Sequence, residues 1–255
     1  MYLTRFRVNT ARKEARRLLS SPHRLHGAVN MAFPEPPARD GGGPRVLWRL
    51  DHAPAGRVDL FITSPTPPDL SHLVEQVGWP SLAEQGWNTF AYDEFLDALA
   101  TGDIWAFRLT ANPVHHIRKD TDAPGAPTRR TAHVTPRHQI GWLLKHQERA
   151  GFAVIPRTPD PSSPVPEEKD DVLAHEVMVH DRLPIRFSKP AVDQPGATAV
   201  RSARTGHGPD VRFTRVTFDG RLRITDLPAF RKTLTQGLGK AKAYGCGLMT
   251  LAPVR

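Results

Sequence analysis

Two histidines and an asparagine in the segment SPHRLHGAVNMA are the residues of this chain best suited to proton transfer. If the segment is helical, a step of about 100° per residue gathers His23, His26 and Asn30 on one polar face. That face points away from the apolar stripe of Leu25, Ala28, Val29 and Ala32. An imidazole titrates near neutrality, so it can take a proton from a ribose 2′-hydroxyl or hand one to a departing 5′-oxygen without a metal ion. Such a pair suits RNA cleavage by internal attack. The same spacing also fits two solvated surface histidines, and the residues alone leave both readings open.

Positive charge gathers in two further places. In GLGKAKAYGCG, Gly237, Gly239, Gly245 and Gly247 bracket Lys240 and Lys242. Glycines let a backbone approach a phosphate closely and lysines supply the charge. The spacing matches neither the G-x-x-x-x-G-K-[ST] loop nor G-x-G-x-x-G after a strand, which disfavours nucleotide binding. A glycine-rich helix end before the last strand is the structural alternative. The second place is the arginine series Arg201, Arg204, Arg212, Arg215, Arg221 and Arg223, with few acids nearby. Along one hairpin these side chains could follow an RNA backbone, or they could form an ordinary solvated strand face.

Metal chemistry is tested directly, because the chain has 12 histidines. HEVMVH has one residue too many for H-E-x-x-H, and in a strand His175 and His180 point to opposite faces. His115 and His116 diverge for the same reason and lack a carboxylate pattern. The lone Cys246 sits between glycines with no second thiol for a disulfide or a zinc site. Neither a metal nor another cofactor is expected.

The elements that must position these residues follow from periodicity. MYLTRFRV reads as a strand, NTARKEARRLLSS as a helix, and Ser21 before Pro22 as the N-cap of the histidine-bearing helix. After a turn-rich loop, RVLWRLDH and GRVDLFITS form a hairpin and DLSHLVEQVGWP a helix. A short helix and a strand within FAYDEFLDALATGDIWAFRLTANPV then close a β-α-β-β-α-β order. A linker rich in Pro, Thr and basic residues separates the halves, giving residues 1–118, 119–135 and 136–255. The second half runs from the helix PRHQIGWLLKHQERAG through two long strands, VLAHEVMVHDRLPIRF and VRFTRVTFDGRLRIT. The helix DLPAFRKTLTQGLGKAKAYG and the strand LMTLAPV end it. The expectation is an α+β protein of two tandem ferredoxin-like domains.

Composition agrees with a polyanionic partner: 35 Lys and Arg against 26 Asp and Glu give a net charge of +9. No stretch approaches the roughly 20 apolar residues of a membrane span, and the start lacks a secretory core, so a soluble, cytoplasmic protein is expected.

These segments fall in an order that resembles the CasE family, the type I-E CRISPR endoribonucleases. SPHRLHGAV, DGRLRITDLPAFRKTL and QGLGKAKAYGCGLMTLA carry the likeness. The resemblance implies tandem ferredoxin-like domains and a metal-independent endonuclease. Such an enzyme cuts precursor RNA at the base of each repeat stem-loop, leaves a 5′-hydroxyl and a cyclic phosphate, and stays on the guide RNA within Cascade. It places the catalytic histidine at His26. Where the family typically has a tyrosine this chain has His23, which either replaces the phenol or orients the RNA. It further implies RNA contact by Arg24, by a basic hairpin holding Arg201, Arg204, Arg212 and Arg215, and by Lys240 and Lys242 of the glycine-rich loop. Two other readings compete: a non-catalytic RNA-binding subunit of such a complex, and a basic DNA-binding or ribosome-associated protein.

Overall fold

The computed structural model describes residues 1–35, 43–79, 86–117, 129–157, 174–190 and 207–254. The first unit is built from β1 (Tyr2–Val8), α1 (Lys13–Leu19), α2 (Pro22–Asn30), β2 (Leu47–His52), β3 (Val58–Ser64), α3 (Ser71–Val77) and β4 (Trp87–Ala91). Its antiparallel sheet has the order β2-β3-β1-β4, the strand order of a ferredoxin-like unit. Alternation in β1 buries Phe6 and Val8 on one face. Leu25, Val29 and Ala32 of the histidine-bearing segment pack against that face, which leaves its polar side outward.

After α4 (Tyr92–Ala98), the chain enters β5 (Ile104–Ala111), the short ladder β6 (Val114–Ile117) with β7 (Arg129–Ala132), and α5 (Pro136–Gln147). Then come β8 (Phe152–Val154), the long hairpin β9 (Val177–Pro190) and β10 (His207–Ile224), α6 (Leu227–Gln236) and β11 (Met249–Ala252). The second sheet runs β11-β5-β10-β8, with β9 paired to β10. Taking β5, β8, β10 and β11 in chain order, this repeats the arrangement of the first sheet.

This pairing corrects the expected place of Ile104–Ala111. Instead of closing the first half, β5 lies between β10 and β11 at the centre of the second sheet. The closing strand of the first unit is β4, paired to β1. Its sequence WNTFA lies at an edge and largely in solvent, so it lacks the apolar alternation that marks a strand. We therefore place the division near Leu99 rather than at 119–135.

A second correction concerns the C-terminal helix. It stops at Gln236, because Gly237 leaves helical space at φ 75°, and a separate single turn covers Lys242–Tyr244.

A buried arginine joins the two sheets. Arg49 of β2 is 2% exposed and forms a two-pronged ion pair with Asp51. It also donates to the carbonyls of Arg108 and Leu248 and to Thr250 Oγ1, at 2.9, 3.2 and 2.8 Å. Arg108 in turn grips Asp219 through two hydrogen bonds of 2.7 and 2.6 Å, and His180 Nε2 lies 3.0 Å from the same carboxylate. Burial pushes the Asp219 carboxyl up, but Arg108 and His180 together outweigh it and hold the group below the usual carboxylate range.

Candidate active site

The histidine-bearing helix starts as its sequence requires: Ser21 Oγ accepts from the Arg24 amide, and Pro22 occupies the first turn. Three and four residues on from each other, His23, His26 and Asn30 share its half-buried outer face. Asn30 Nδ2 lies 3.3 Å from His26 Nε2. An amide nitrogen donates, so in this contact Nε2 is the acceptor when the ring is neutral with its proton on Nδ1.

What surrounds the two rings comes from the second unit. The edge of Tyr244 meets His26 with ring centroids 6.2 Å apart, and His23 stacks on Phe187 of β9 at 6.3 Å. Phe187 and Phe213 flank Tyr244 at 4.9 and 5.9 Å, so one aromatic group ties helix, hairpin and C-terminal turn together. Sequence reasoning passed over Tyr244. The residue stands in the quoted GLGKAKAYGCG segment, but only the fold brings it to a helix at the other end of the chain.

The glycines that hold this turn make their close approaches to protein. Gly237, Gly239, Gly245 and Gly247 all have positive φ. A side chain on Gly245 would come within 2.5 Å of Trp48, and one on Gly237 within 2.9 Å of Leu47. At Gly237 and Gly245 the absence of a side chain thus serves the packing of the loop. What they permit is contact with β2, which seats the turn against α2. Cys246 between them is wholly buried and its thiol is pushed up to about 12 by that burial, in keeping with a filler residue.

Arg212 is exposed beside the aromatic group and Arg215 is half-buried, whereas the exposed Arg24 lines a separate hollow with Glu14, Arg17 and Gln76. Arg212, Phe213, Ala241 and Tyr244 line a hollow of about 340 Å³. The hairpin is less free of acids than its sequence suggested: Asp210 pairs with Arg186 and Arg212 at 3.2 and 3.1 Å, and Arg221 with Glu176 at 3.1 Å. Arg201 and Arg204 lie outside the described residues. Lys240 is exposed, whereas Lys242 is half-buried and donates to the Gln236 carbonyl at 2.7 Å. Burial, then the charges of Arg45 and Lys240, bring its ammonium group down to about 8. His175 and His180 lie apart from this site, the first in a bridge to Pro156 and the second on Asp219.

The chain is similar to known proteins over most of its length. CRISPR-associated endoribonuclease Cse3 of Thermus thermophilus is 27% identical over 256 residues, covering 99% of this chain and all of the relative. The Escherichia coli Cascade subunit CasE is 30% identical over 152 residues, 58% of this chain and 57% of its own. Among solved structures, Thermus thermophilus Cse3 bound to an RNA representing a pre-cleavage complex superposes with a TM-score of 0.67 at 27% identity. That match covers 99% of this chain and 98% of the other. The family model described as CRISPR associated protein matches residues 1–253, and the chain belongs to that family.

Proposed function

We propose that this chain is an endoribonuclease that cuts CRISPR repeat RNA at the base of its stem-loop, in the cytoplasm, and keeps the guide RNA within Cascade. The observation that carries the reading is the meeting of His26 with Tyr244 beside the exposed arginines of the long hairpin. Two relatives support it: the Thermus protein is named an endoribonuclease, and the Escherichia coli protein a Cascade subunit.

In this reaction a base removes the 2′-hydroxyl proton, the 2′-oxygen attacks the neighbouring phosphorus, and the bond to the 5′-oxygen breaks. An acid returns a proton to that oxygen, leaving a cyclic phosphate and a 5′-hydroxyl. His26 is the main proton carrier and His23 the second, and proton transfer by imidazoles requires no metal or other cofactor. Arg24, Arg212 and Arg215, with Arg201 and Arg204, neutralise the stem backbone, and Lys240 and Lys242 contact phosphates at the loop.

The chemistry is tested by replacing the 2′-hydroxyl at the cut with hydrogen. Cleavage should stop while binding persists, and intact RNA should yield a 2′,3′-cyclic phosphate end. Cleavage of the deoxy substrate would overturn internal attack.

A further inference from the structure

A second, larger hollow lies on the far side of the C-terminal loop. It has a volume of about 650 Å³ and is bounded by α5, α6 and the glycine-rich segment. His146, Arg149, Lys232, Lys240 and Lys242 line it, and no carboxylate does among the described residues. Arg149, Lys232 and Lys240 are exposed, and no ion pair holds any of these three among the described residues. Like charges gathered without acids repel one another, an arrangement that a polyanion relieves. Burial chiefly lowers the Lys242 ammonium, and the neighbouring charges of Arg45 and Lys240 add to it.

The hollow adjoins the site already described. Asn112 and Val114 line both it and the smaller hollow that holds Arg212 and Tyr244. Lys242 and Tyr244 sit at the two ends of one helical turn, the lysine in the larger hollow and the tyrosine against His26. A strand that runs past His26 therefore meets Tyr244, crosses at Asn112 and Val114, and reaches the cationic hollow.

We propose that this hollow is a track for the single-stranded RNA that continues from the scissile phosphate beyond the stem. The inference rests on the proposed nuclease function. Repeating phosphates suit a lined row of cations better than a single anion does, and adjacency to the cut favours the substrate strand over an acidic protein segment. The cations outnumber the amides of Asn112 and Gln236 in the lining, so binding here rests chiefly on the phosphate backbone.

The test uses the full chain and two stem-loop RNAs with a 2′-deoxy nucleotide at the cut. One ends just past the scissile phosphate and the other carries about six further nucleotides, within the usual span of a single-strand site. The flanked RNA should bind more tightly, and the Arg149→Ala, Lys232→Ala double variant should abolish that advantage while binding the short RNA as before. The salt slope for the flanked RNA should flatten by about 0.7 for each cation removed. Equal affinity of the two RNAs for the wild type, or a flank advantage that survives in the double variant, overturns the track but leaves the nuclease reading standing. Failure of the short RNA to bind the wild type overturns both.

Discussion

Lys242 carries a pH dependence whose sign differs between binding and folding. Its ammonium is lowered from 10.5 to about 8, so on raising pH from 7 to 9 it gives up the proton that phosphate contact needs. RNA affinity should fall across that range, and Lys242→Arg should flatten the fall, since a guanidinium stays charged. Folding goes the other way. Between about 8 and 10.5 the unfolded chain still binds this proton and the folded chain does not, so this group's contribution to stability rises with pH. Affinity titrations at several pH values check the first, and a wild-type affinity that stays constant from pH 7 to 9 would contradict it. His23, His26, Lys240 and Lys242 were legible in the sequence because residue type and helical spacing suffice for charge and titration. Tyr244 was not, because its importance lies in a contact between segments at opposite ends of the chain.

The single turn Lys242–Tyr244 links loop and histidine-bearing helix, and its aromatic ring is what touches His26. The ring fixes the imidazole by packing, so Tyr244→Phe should retain most of the cleavage rate. Tyr244→Ala should lose about 100-fold, the scale of a displacement near 1 Å at a reacting group. Single-turnover rates under saturating protein measure both, and a Phe variant as slow as the Ala variant would show that the hydroxyl matters instead. Most elements were readable from periodicity and caps, including the Ser21 cap and the long paired strands. The element that escaped is β4, an edge strand with little apolar pattern. Missing it led β5 to be assigned to the wrong unit, since β5's mostly apolar sequence suits a buried strand of either sheet.

Across the whole molecule, the site exists only while the two units keep their mutual placement, because α2 supplies the histidines and the second unit supplies the ring and most of the charge. Arg49 is a buried link between the two sheets, so Arg49→Met should destabilise the protein by about 3–5 kcal/mol by leaving Asp51 only the longer contact to Arg108 and cutting three inter-sheet hydrogen bonds. Thermal unfolding reads this, and a change under 1 kcal/mol would deny Arg49 that role. Such a link was not visible in sequence, where an arginine in a strand reads as solvated. The central claim is that His26 moves the proton in a metal-independent RNA cleavage. Its most direct test is incubation of wild type and His26→Ala with a labelled repeat stem-loop in EDTA. The wild type should make a single cut, and the variant should bind nearly as well but cut about 100- to 10,000-fold more slowly. Equal cutting by both, or tight binding with no cut by the wild type, would contradict it.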